Sequence, residues 1–158
     1  MMTVVKIILI GSLLLLGLGF LFRYHQRRIE RSNLLTEAEK DIVLKQTRAL
    51  FGLIITIVAL VIGLVWIVVS GMMSPALISV IIGVWSLIGM GGLAVFSYVG
   101  ASAIRNRVTM NYTGPVKGRR AVVAGGVYLI TVVLGLVFIP VVAYTFWINQ
   151  ALFQMAFR

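Results

Sequence analysis

Two long stretches of this chain, residues 49–104 and 121–157, contain no charged side chain at all. A third apolar run, 4–22, is broken only by Lys6 and ends at Arg23. Crossing roughly 30 Å of hydrocarbon takes about 20 apolar residues at about 1.5 Å rise each, so runs like these constrain the fold more than any motif could. The run 49–104 is too long for one crossing, and it contains the turn signal Gly71-Met72-Met73-Ser74-Pro75. Proline suits the first turn of a helix, so Ser74-Pro75 reads as a new helix start. The expected fold is an all-α membrane protein of four transmembrane helices near 4–22, 49–70, 75–103 and 121–147, forming one domain over 1–158. The runs are continuously apolar rather than alternating, which excludes a transmembrane barrel. Of the 158 residues 61% are hydrophobic and only 11% charged, against roughly 25% charged in a soluble domain.

The first span ends Phe20-Leu21-Phe22-Arg23-Tyr24, bulky and then basic, without a small-x-small cleavage pattern. It is expected to stay as a membrane anchor. Basic residues set the orientation. Arg23, Arg27, Arg28, Arg31, Lys40, Lys45 and Arg48 lie in the segment 23–48, and Arg105, Arg107, Lys117, Arg119 and Arg120 in 104–120. The other side carries only Lys6 and Arg158, which places both basic segments in the cytoplasm of an inner membrane and both termini outside.

All four acids fall in the first basic segment, at Glu30, Glu37, Glu39 and Asp41. Thr36 and Glu39 have capping-box spacing, and Asp41 precedes Lys45 by four. With no glycine or proline before Gly52, one helix is expected from about Glu37 to Ser70, its first three turns projecting into the cytoplasm. Arg23, Arg27 and Arg31 recur every four residues and share one face if the first helix runs on, with Asn33 in the turn that follows. In the second basic segment Gly114-Pro115 and Gly118 mark turns before the Lys117, Arg119 and Arg120 cluster.

A formal sequon at Asn111-Tyr112-Thr113 has no meaning at a cytoplasmic position. The order Gly-x-x-x-x-Gly-Lys-Ser/Thr is missing, so no nucleotide cradle is expected. With no cysteine and His25 as the sole histidine, the chain has no thiolate site and no bis-histidine haem site of its own. Its acids lack metal-loop spacing. No Ser-His-Asp triad is arguable, because His25 and every acid share one short segment. No cofactor, metal or catalytic residue is expected.

The spans contain small residues at helix-packing spacing instead. Gly52, Thr56, Ala59 and Gly63 form one stripe. Ser79, Gly83 and Ser86 form a second, continuing through Met90 and Leu93 to Ser97 and Gly100. Ala124, Tyr128, Thr131 and Gly135 form a third. Small side chains let helix backbones approach where lipid supplies no hydrophobic drive. Gly89, Gly91 and Gly92 add a further patch to the third helix. Pro140 removes a backbone bond within the fourth span and is expected to kink it. Tyr144, Phe146 and Trp147 read as an interfacial girdle. The tail 148–158 repeats apolar residues at Ile148, Ala151, Leu152 and Met155, as a short interfacial helix or a continuation of the fourth. Both halves share an order of helix, basic segment, helix, but too few identities to establish a duplication.

Ionisable residues inside a membrane mark transport or chemistry, and the last three spans have none. The expected function is therefore a non-catalytic accessory subunit of a larger membrane complex. Its partners would be other integral membrane subunits, packed along the small-residue stripes. Anionic phospholipid or partner contact would fall to Arg23, Arg27, Arg28, Arg31, Arg105, Arg107, Lys117, Arg119 and Arg120. Nucleic acid and soluble small molecules are not expected partners. The alternative is a small homo-oligomeric transporter, channel or pore former with hydroxyl-lined seams.

Overall fold

A computed structural model describes residues 2–72, 74–111 and 114–156. It contains four helices, α1 (Met2–Glu30), α2 (Glu37–Val69), α3 (Pro75–Asn106) and α4 (Arg119–Ala156). Between α3 and α4 lies a short hairpin of β1 (Val108–Asn111) and β2 (Gly114–Lys117). All four helices are long and apolar enough to cross a membrane.

The helix starts follow from their caps. Thr36 accepts from the Glu39 backbone N–H, while Glu39 accepts from the Thr36 N–H at 2.8 Å, so α2 begins with a complete capping box. Ser74 caps α3 by accepting from the Leu77 N–H, with Pro75 in the first turn, as the sequence predicts. At 33 residues α2 is about 50 Å long. It gains three turns ahead of Ala49, held in part by Lys45 and Asp41 at 2.7 Å. Between α2 and α3, Gly71 takes φ +68, a left-handed value open to glycine at no steric cost.

Helix continues beyond the apolar spans at both basic ends and in the tail, as the sequence allows, and one segment differs from the sequence reading. The apolar spans are extended at their basic ends, α1 to Glu30 and α3 to Asn106. The segment 104–120 is not a plain loop but an antiparallel hairpin, with Val108 opposite Lys117 and Asn111 opposite Gly114. Backbone N–H and C=O groups of so short a connection need partners once they are packed under helix ends, and pairing the two strands supplies them. The tail 148–156 continues α4, and the helix runs through Pro140. The side chains of Phe146, Trp147, Ala151, Leu152 and Met155 lie outside the described residues, as do Tyr112 and Thr113 of the sequon and Arg158.

Packing joins neighbours along the chain: α1 to α2, α2 to α3, α3 to α4. Among the described residues no contact of comparable extent joins α1 to α3 or α4, or α2 to α4. The spans thus form an open row rather than a closed bundle. The hairpin ties the row together at one end, with β1 against α2, α3 and α4 and β2 against α1 and α4. Here lies the core, of Ile29, Leu35, Val43 and Val108, with Val99, Ala103 and Ala121 also buried.

Candidate functional site

The candidate surfaces are the outer face of the row and its basic end. Gln46, one turn before the apolar part of α2, is 1% exposed. Its amide nitrogen donates to Ser102 Oγ at 2.9 Å and to the Val108 carbonyl at 3.3 Å, joining α2, α3 and β1. Beside it Thr47 donates to the Val43 carbonyl. Lys117 reaches from β2 to Glu39 at 2.6 Å and so clamps the hairpin to the first turn of α2. That bond, with the Thr36 N–H, holds the Glu39 carboxyl below its ordinary pKa. Asp41 correspondingly raises the Lys45 ammonium above its ordinary value.

The acids pair selectively. Glu37 meets Lys40, Asp41 meets Lys45, Glu39 meets Lys117, and Glu30 accepts from the Gln26 amide. Every described ion pair therefore uses lysine, and among the described residues no arginine has a carboxylate partner. Arg27, Arg28 and Arg31 surround a cavity of about 630 Å³ between the end of α1 and the hairpin. Arg23 stands one turn earlier on the same stripe and does not line it. Arg105 lies in the last turn of α3, and Arg107 ends that helix in a left-handed conformation at φ 54. Arg119 and Arg120 open α4, and both are exposed.

The small-residue stripes divide. Gly100 and Gly125 form the tightest crossing: a Cβ on Gly125 would stand 2.8 Å from the Gly100 carbonyl oxygen. Phe96 stacks on Tyr128 one turn further, at 5.9 Å between ring centres, and Gly135 leaves space for Leu93 beyond that. The α3–α4 seam thus brings together Gly100, Tyr128 and Gly135 of two expected stripes. Ala124 is half-buried beside it. Gly125 was not in any expected stripe, although its place next to Ala124 in an apolar helix was the available signal.

The α2 stripe makes no such seam. Gly52 and Thr56 are exposed, and a Cβ on Gly52 or Gly63 would meet nothing within 4 Å. Ala59 and Gly63 border a shallow cleft of about 240 Å³ against Ile81 and Trp85 of α3. Ser79 and Gly83 on α3 are exposed. Ser86, Thr131 and Gly135 line a larger apolar cleft of about 530 Å³ between α2, α3 and α4, with Leu53, Phe96 and Phe138. The hydroxyls in these surfaces are internally engaged: Thr56, Ser86, Thr131 and Thr145 each donate to the carbonyl four residues earlier.

His25 packs edgewise between Tyr24 and Phe51, and its buried Nδ1 has no hydrogen-bond partner. Among the described residues no group of three potential metal ligands comes together. The fold is mainly helical, with four helices long and apolar enough to span a membrane, which suggests the class of multi-pass membrane proteins. It leads to no particular family, since no family model, no curated protein and no solved structure matches the chain.

Proposed function

We propose that this chain is a non-catalytic accessory subunit of a larger integral membrane complex, stabilising it by helix packing and lipid contact. In this reading it sits in the plasma (inner) membrane, with the basic segments cytoplasmic and both termini outside, by the distribution of lysine and arginine. The observation that carries the proposal is the open α2 face. Gly52, Thr56, Ala59 and Gly63 have the spacing of a close helix contact; Gly52 and Thr56 are exposed, and among the described residues no helix packs closely on Gly52 or Gly63, which with Ala59 leaves only a cleft towards α3. Other integral subunits are the partners this face suits. The arginines at the basic end suit anionic phospholipid. The rival reading, a small homo-oligomeric transporter, channel or pore former, needs a polar path. The spans offer hydroxyls for it whose protons are already donated to their own helices.

The test is purification of the tagged chain from its native membrane in mild detergent. Companion chains should appear at fixed stoichiometry, and Gly63→Leu should release them while the chain itself stays folded. A homogeneous homo-oligomer that moves a solute across liposomes would instead support the rival.

A further inference from the structure

We propose that Arg27, Arg28 and Arg31, closed over by the hairpin at Gly114, form a seat for the phosphate of an anionic phospholipid. This deepens the lipid contact proposed above, and rests on it, by assigning that contact to one cavity.

Arg27 and Arg28 stand side by side in the last turn of α1, and Arg31 follows just past its end, its N–H donating to the Arg27 carbonyl. The cavity they share, about 630 Å³, also involves Tyr24, Leu34 and Gly114. Arginine near a helix C-terminus is favourable on its own, because the last carbonyls carry partial negative charge. That effect explains basic residues in this turn, but not their convergence with a second element. The second element is β2. Gly114 has φ +131, and a Cβ there would stand 3.3 Å from Arg28 Nε and 3.4 Å from its Cζ. The φ at this position favours glycine, and a Cβ there would crowd the Arg28 guanidinium.

Charge accounting points the same way. The three described ion pairs and the Gln26–Glu30 bond engage all four acids, and none of them meets these arginines. Three guanidiniums are thereby left around one space without a counter-ion from the described residues. Guanidinium presents paired N–H donors that match two oxygens of a phosphate, which an ammonium cannot do. The place of the cavity at the end of an apolar span selects the source of that phosphate. Tyr24 and Leu34 are 60% and 70% exposed, and the apolar span of α1 ends at Phe22, one turn before Arg27. An aromatic and an aliphatic side chain beside three arginines, at the end of a span, suit a ligand that is anionic above and apolar below. A phospholipid with its phosphate among the arginines and its glycerol against Tyr24 and Leu34 has that form.

The experiment titrates the full-length chain in mild detergent with phosphatidylglycerol or phosphatidylcholine and reads retained lipid by native mass spectrometry. One triple variant changes Arg27, Arg28 and Arg31 to Gln. A control removes equal charge from α2 as Lys40→Gln, Lys45→Gln and Arg48→Gln. The wild type should prefer phosphatidylglycerol, and the first triple should lose that preference by about tenfold or more, the scale of one charge-assisted bond or more. The control should retain it. Arg28→Lys, which keeps the charge and disturbs the fold least, should also weaken binding severalfold. Equal losses in both triples would overturn the seat and leave a diffuse lipid contact standing. A phosphatidylglycerol preference untouched by either triple or by Arg28→Lys would overturn the seat as well. No preference in the wild type would overturn the seat together with the lipid contact beneath it. Displacement of the lipid by millimolar inorganic phosphate would overturn a lipid as the occupant.

Discussion

Val43 and Val61 belong to the same helix and have the same side chain, yet Val43 is fully buried and Val61 is 42% exposed. Around Val43 the ends of the helices and the hairpin converge on Ile29, Leu35 and Val108. Around Val61 the helices stand in a row with apolar surface facing outward. Among the described residues every buried position except Gly11 and Gly92 lies in the basic third of the molecule. The difference reflects the two solvents a chain of this kind meets. Near water, hydrophobic burial of about 25 cal/mol per Å² drives side chains together. Among lipid chains that drive disappears, and only close packing or hydrogen bonding holds helices. One end is thus a small globular core, and the rest is a set of surfaces.

The comparison can be broken by single substitutions. The largest effect is expected from Ile29→Ala, which should cost about 2–5 kcal/mol as a truncation in a filled core. Leu16→Ala, at a side chain 64% exposed, should leave the thermal unfolding midpoint in detergent unchanged. If both changes destabilise alike, the division between core and surface is wrong. Next comes Gly125→Ala at the α3–α4 crossing, where the new methyl meets the Gly100 carbonyl and the Ile104 and Ala103 side chains. Overpacking of this kind costs about 1–3 kcal/mol, read from the same midpoint, whereas Gly52→Ala should be neutral or slightly stabilising. Thr36→Ala removes the cap of α2 and should cost about 1 kcal/mol, with fraying of the first turn detectable by hydrogen exchange.

The smallest effect is a pH dependence. Folding lowers the Glu39 pKa, chiefly through the Lys117 bond, so the stability it contributes is present above the unfolded value near 4.5. That contribution is lost as pH falls through the folded value. Unfolding of wild type and Lys117→Met, followed between neutral pH and pH 3, should converge at the acid end. A constant gap across that range would show that the clamp contributes nothing through Glu39.

The spans, both helix starts and the Asp41–Lys45 pair were legible in the sequence, because hydrophobic length and capping chemistry are local. The hairpin was less so. Gly114-Pro115 and Gly118 announced turns, but four-residue strands give too short an alternation to separate from loop, and Val108 is buried by helices distant in sequence. Gln46 could not be recognised as buried, since its partners Ser102 in α3 and Val108 in β1 are far away in sequence. The small-residue stripes showed which positions permit close approach without showing which are used. Gly100 and Gly135 meet a neighbour within the chain, while Gly52 and Gly63 do not. Nothing local distinguishes them.

Ile29 comes from the first helix, Val43 from the second, Val99 from the third, Val108 from the hairpin and Ala121 from the fourth. The cluster of Ile29, Leu35, Val43 and Val108 cannot close until the hairpin has been synthesised. The first two helices can pair early, through Phe22 on Phe51 and Gly11 beneath Ile62, but Ile29, Leu35 and Val43 stay uncovered until Val108 has been made. Closure of this cluster is therefore a late event in synthesis, and chains truncated before Val108 should leave Ile29, Leu35 and Val43 open to proteolysis.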